Sequence, residues 1–158
     1  MVPEELLQYI GKQSTPQVME VEKGAIKRYA QAIEDDNPLY LDEEYARNTR
    51  YGTIIAPSGF FGWPVKPVPP QEEGMRELMA AMPRAGYPGL FNGGTEYEFY
   101  LPVREGDILV STAKISDIYE RVSKSGNKMI FAVSETSCLN QNGDLVAKWR
   151  LTLIFRQL

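Results

Sequence analysis

Thr95-Glu96-Tyr97-Glu98-Phe99 (TEYEF, residues 95–99) alternates polar and aromatic side chains, and at this point the chain changes its period. In an extended strand successive side chains point to opposite faces, so this alternation predicts a strand with two unlike faces. Three long strand-like runs follow, at about 109–121, 128–139 and 145–156, divided by SKSGN (123–127) and NQNGD (140–144). The Asn142-Gly143 pair suits a tight hairpin turn, so the C-terminal half reads as an antiparallel meander.

Upstream of residue 95 the period is 3.6. Residues 23–34 place Ile26, Tyr29, Ala30 and Ile33 on one helical face, with Lys27, Arg28 and Gln31 between them. That helix is expected to stop near Asp35 to Asn37, because Pro38 disfavours helical geometry in the residue before it. Asp42 can cap a second short helix through Thr49, with Glu43 and Glu44 in its first turn. The Gly- and Pro-punctuated GTIIAPSGFFGWPVKPVPP (52–70) has room for one helical turn, and Pro67 to Pro70 is expected to be extended. Residues 71–82 then set Met75, Leu78, Met79 and Met82 at helical spacing and end against Pro83. Helices first and long consecutive strands afterwards predict a single α+β domain over residues 1–158, a curved sheet packed on helical segments.

Composition removes several kinds of chemistry. The 158 residues include no histidine and one cysteine, which excludes imidazole bases and His ligands and argues against a zinc site; no metal is expected. Cys138, in a strand-like run, reads as a small buried side chain. Neither a GxxxxGK[ST] loop nor a GxGxxG turn is present. A net charge of -4 without dense basic runs argues against nucleic acid or an anionic membrane as the main partner. No leader-like start and no run of membrane-spanning length is visible, so the expected location is the cytoplasm.

AQAIEDDNPLYLDEEYARNTRYGTIIAP (30–57) and GGTEYEFYLPVREGDILV (93–110) together resemble the MaoC-like family of (R)-specific enoyl-CoA hydratases and dehydratases. The resemblance implies the hotdog fold, in which a curved antiparallel sheet wraps a central helical segment. It also implies an acyl-CoA or acyl-carrier thioester as substrate and no further cofactor. In that family an Asp and a His five residues later act on the enoyl thioester. Matched residue by residue, Asp35 takes the place of that Asp and Tyr40 that of the His, while Asn37, Pro38, Leu39 and Asp42 match directly.

Two departures alter the chemistry. A phenol with a pKa of about 10 is a poor base near neutral pH. The family's His-Gly, whose glycine N–H polarises the thioester carbonyl, falls on Ala56-Pro57, and proline has no N–H to donate. The Ala-Pro variant and the delayed second motif resemble the N-terminal-type, fungal-synthase-like dehydratase branch, whose members pair with a catalytic hotdog.

The expected function is thus a non-catalytic, substrate-shaping subunit of a heteromeric hydratase or 3-hydroxyacyl-thioester dehydratase, beside a homologous hotdog subunit that carries the Asp/His pair. Asp35 is the candidate for any residual catalytic role. Asn37, Tyr40, Ala56, Pro57, Ser58, Phe60 and Phe61 are the candidate substrate contacts. Ser58 has neither a His partner nor a GxSxG setting, so it is not read as a nucleophile. Two other readings remain open: a homodimeric hotdog that binds acyl-CoA or another small apolar ligand without chemistry, and an Asp35-dependent thioesterase.

Overall fold

The computed structural model describes residues 1–64 and 73–157, with Pro64 and Glu73 described by their backbone alone. Among the described residues six strands form one antiparallel sheet: β1 (Gln17–Glu20), β2 (Trp63–Pro64), β3 (Gly89–Phe99), β4 (Ile108–Val122), β5 (Lys128–Leu139) and β6 (Leu145–Arg156). Their order across the sheet is β2-β1-β4-β5-β6-β3. Among the described residues five helices accompany it: α1 (Glu4–Leu7), α2 (Lys23–Ala32), α3 (Pro38–Leu41), α4 (Glu43–Arg47) and α5 (Glu73–Ala81). The expected meander is β4-β5-β6.

Both hairpins close in the same way. Asn140 N–H donates to Asp144 O and Gly143 N–H to Asn140 O, and Ser123 to Gly126 repeats this pattern with Asn127. Each connection therefore spans five residues and places a glycine at positive φ, 83° for Gly143 and 85° for Gly126. The turn is longer than the two-residue form that Asn-Gly alone suggests, because the Asn140 side chain accepts the N–H groups of Asn142 and Asp144 and draws them into it.

Along β4 the inward-facing positions are Leu109, Ala113 and Ile115, then Ile118 after an irregularity between Ile115 and Asp117. Two apolar patches lie on this inner face. In one, Ala25 and Ile26 of α2, with Ala46, Ile54 and Phe60, pack on Leu109, Cys138, Val146 and Ala147. In the other, Leu6 with Met75, Leu78 and Met82 packs on Ile115, Ile118, Ile130 and Phe155. α5 is thus the helix that covers the far end of β4, β5 and β6. The methionine stripe is core, except that Met79 points partly to solvent. Residues 71–72 and the Pro67 to Pro70 stretch lie outside the described residues.

Several element boundaries differ from the sequence expectation. α2 ends at Ala32 and leaves Ile33 exposed. Asp35 N–H bonds Ala30 O at 2.9 Å and Glu34 N–H bonds Gln31 O at 3.2 Å, with Glu34 at φ 57°. That is a Schellman closure, so the helix is stopped by a left-handed residue three positions before Asn37 and not by Pro38. Pro38 instead opens α3, where its missing N–H costs nothing and the Asn37 side chain caps Leu39 N–H. α4 is shorter than expected, Glu43–Arg47, but Asp42 caps it as expected through Glu44 N–H and Tyr45 N–H. β3 begins at Gly89, six residues before Thr95 in sequence, because β6 supplies a ladder for the glycine-rich segment and a bulge at Asn92/Gly94 absorbs its irregularity. β1 and α1 were not foreseen.

Candidate functional site

The Schellman closure delivers Asp35 to the start of a chain of local hydrogen bonds. Asp35 Oδ1 accepts Asn37 N–H at 3.1 Å, and Asn37 Oδ1 accepts Leu39 N–H at 3.1 Å. These carboxyl and amide groups fix the entry to α3, which brings Tyr40 half-buried against the first core patch. Burial pushes the Tyr40 phenol above its ordinary pKa, the Asp35 carboxylate and Tyr51 push it the same way, and the Asn37 hydrogen bond opposes them. Tyr40 is held protonated near neutral pH; it is a hydrogen-bond donor and not a base.

Leu39 O accepts Ile55 N–H at 3.2 Å, which ties this loop to the segment that follows α4. Next along the chain, Ala56 N–H donates to Val103 O at 2.8 Å. The one amide hydrogen of the Ala56-Pro57 pair is therefore already engaged, since Pro57 has none. Pro57 to Phe60 form a turn closed by Phe60 N–H to Pro57 O, with Gly59 at φ 92° in the position that requires it. Gly62, at φ 87°, passes so close to β1 that a Cβ there would lie 2.5 Å from Glu20 O.

This turn forms one wall of a cavity of about 500 Å³. Phe61 stacks on Trp149 with centroids 5.0 Å apart and lies 6.3 Å from Phe99, joining the turn to the inner face of β6 and β3. Phe60 is buried and faces Tyr29 of α2. Of the expected contacts, Ala56, Pro57, Ser58, Phe60 and Phe61 line the cavity together. Asp35, Asn37 and Tyr40 do not; their loop is tied to the wall by the Leu39–Ile55 bond. The cavity also draws in Arg50, Tyr51, Leu101 and Arg104, none of which was expected. The isolated bridge between Ile55 and Arg104 places the second motif against the first, a pairing between distant segments that no local period announces.

Cys138 is fully buried beneath the same patch, and burial pushes its thiol up to about 11. It is core, as expected. Among the described residues no helix is long and apolar enough to cross a membrane.

The sequence signature of the FAS1-like dehydratase domain region matches residues 8–149. The chain belongs to this family. A probable enoyl-CoA hydratase alpha subunit of Thermomonospora curvata is 30% identical over 135 residues, covering 80% of this chain and 42% of that protein. This chain thus spans less than half the length of that relative. A UPF0336 protein of Thermobifida fusca is 30% identical over 129 residues and is covered over 79% of its length. In solved structures, a chain of the ChsH1-ChsH2 complex from Mycobacterium tuberculosis superposes with a TM-score of 0.82 at 20% identity, covering 98% of this chain and 95% of that one. A chain of the HadBC (3R-hydroxyacyl-ACP dehydratase) complex from the same organism gives 0.65 at 24% identity, covering 92% and 96%. The fold is the hotdog fold of MaoC-like dehydratases, and the curled antiparallel sheet with α5 on its inner face is the arrangement expected from the resemblance.

Proposed function

We propose that this chain is the non-catalytic, substrate-shaping subunit of a heteromeric (R)-specific enoyl-CoA hydratase or 3-hydroxyacyl-thioester dehydratase. The observation that carries the reading is the state of the Ala56-Pro57 pair. Its only N–H is bound to Val103 O, so no amide there is free to receive the negative charge that develops on a thioester carbonyl. Tyr40, protonated and facing Asp35, adds no base on the other side. Hydration needs a proton acceptor for water and a proton donor for the neighbouring carbon. In this reading both come from a homologous partner, together with its oxyanion amide, and the wall of Pro57, Phe60 and Phe61 shapes the acyl path.

The edge of the sheet supports a partner. β3 is exposed along ten of its eleven residues, with Leu90, Phe91, Tyr97 and Phe99 each between 45% and 49% exposed. A long edge strand carrying exposed aromatics is a surface that natural proteins cover. A second strand laid antiparallel along it would extend the sheet and pair the backbone groups that the edge leaves open.

The test is co-expression with a His-containing MaoC-like chain and assay of crotonyl-CoA hydration. The expected result is a stable complex with activity that neither chain has alone. No complex and no activity with such chains, alongside a stable homodimer that binds acyl-CoA, would replace this reading with the binding one.

A further inference from the structure

The charge on the cavity wall runs against the charge of the chain. Overall there are 21 acidic and 17 basic side chains, yet among the described residues the charged side chains lining the cavity are Arg50 and Arg104. Both are oriented by Tyr51. Arg50 donates to the Tyr51 hydroxyl at 2.7 Å and lies 4.9 Å from its ring centroid, while Arg104 donates to the Tyr51 main-chain oxygen at 3.1 Å. Among the described residues neither guanidinium has a carboxylate partner within 4.0 Å.

The acidic neighbours in sequence are turned elsewhere. Glu105 lies 3.6 Å from Lys23, and Asp107 accepts the Arg104 main-chain N–H and the Gln141 side chain. Each guanidinium therefore keeps most of its five N–H donors for another acceptor. The apolar part of the same lining is made by Phe60, Phe61, Phe99 and Leu101.

We propose that Arg50 and Arg104 form a cationic rim that holds the anionic oxygens of an amphipathic ligand whose apolar part lies against Phe60, Phe61 and Phe99. Resting on the function proposed above, that anion is a phosphate of a phosphopantetheine-type thioester such as an acyl-CoA. A phosphate matches the planar fork of a guanidinium, which makes arginine the suited residue at such a rim.

The experiment is calorimetric titration of the purified chain with octanoyl-CoA, octanoyl-pantetheine and octanoate, for the wild type and for Arg50→Gln, Arg104→Gln and the double variant. The phosphate-free thioester separates the phosphates from the acyl part, and octanoate tests a carboxylate as the source of the anion. Octanoyl-CoA affinity is expected to fall roughly fivefold to tenfold per substitution, in line with partly exposed charge-assisted contacts, and to weaken with added salt. Octanoyl-pantetheine is expected to bind the wild type and the double variant equally. Unchanged thermal melting of the variants separates lost contacts from lost fold.

Equal octanoyl-CoA affinity in the wild type and the double variant overturns the rim, as does no octanoyl-CoA binding by the wild type. Arginine-dependent binding of octanoate alone overturns the phosphate assignment. Arginine-dependent binding of octanoyl-CoA without hydration in any pairing leaves the rim standing and removes the proposed subunit role.

Discussion

Tyr29 and Phe60 lie with ring centroids 5.0 Å apart and planes tilted by 40°, and this contact joins the helix that ends in the Asp35 loop to the turn that walls the cavity. Phe60 is 4% exposed and also meets the Trp63 ring edge-on at 6.3 Å. Phe60→Ala is expected to destabilise the fold by about 3–5 kcal/mol, the usual cost of emptying a buried aromatic site. Urea unfolding measures it; a loss below about 1 kcal/mol would mean that the site collapses or that the turn is not packed as described.

Tyr40 and Pro57 are separate obstacles to hydration, so repairing one should not be enough. Tyr40→His restores an imidazole beside Asp35, yet Pro57 still lacks an amide hydrogen. Crotonyl-CoA hydration by this single variant is expected to remain at background. Tyr40→His with Pro57→Gly is expected to raise it measurably. Activity in Tyr40→His alone would show that the oxyanion donor comes from elsewhere in this chain.

Left-handed backbone at two positions makes opposite predictions. Glu34 adopts φ 57° at the end of α2 with an exposed side chain, so Glu34→Gly is expected to stabilise the chain by up to about 1 kcal/mol. Gly62 has φ 87° and backbone oxygen 2.5 Å from where a Cβ would stand, so Gly62→Ala combines strain with a clash that no side-chain rotation relieves. A loss of more than about 2 kcal/mol is expected there, against about 1 kcal/mol for Gly143→Ala, which has open space around it. Comparable losses for the two alanine variants would place the β1 contact in error.

The Cys138 thiol links stability to alkaline pH. Its folded pKa is raised from about 9 to about 11, so below pH 9 it is protonated in both states and contributes no slope. Between those values the unfolded chain releases the proton and the folded chain keeps it, and stability falls as pH rises. Cys138→Ala should remove this component. Denaturation of the two proteins side by side from neutral pH upward should show the wild type losing more stability, and parallel curves would count against the burial.

The meander and the amphipathic helices were legible because their signals are local. Alternation over 128–139 and 145–156 reproduces β5 and β6 residue for residue, and Met75 and Leu78 are the buried side of α5, with Met82 buried just past its end. β3 was read only from Thr95 because Gly89 to Gly94 carries no usable period; its conformation is imposed by β6. The end of α2 was assigned to the wrong residue for a related reason, since a Schellman closure with Glu34 in a glycine position leaves no compositional mark. Along the cavity wall, Ala56 and Pro57 close the first motif, and Ser58, Phe60 and Phe61 follow it directly in sequence. Arg50 and Arg104 were missed because their proximity depends on the Ile55–Arg104 bridge, which links two motifs far apart in sequence.

The inner row of β5 runs Ile130, Ala132, Ser134, Thr136, Cys138, all buried. Its two ends belong to different apolar patches, and two hydroxyl residues stand at the waist between them. α5 and α1 cover one end; α2 and the turn at Phe60 cover the other. Among the described residues the two patches form separate clusters, so the helical cover of one end can detach while the other stays closed. In native-state hydrogen exchange the amides of α2 and those of α5 should open with different free energies, and a substitution such as Leu78→Ala should lower protection in α5 while sparing α2. The molecule would then behave as one sheet with two independently hinged covers.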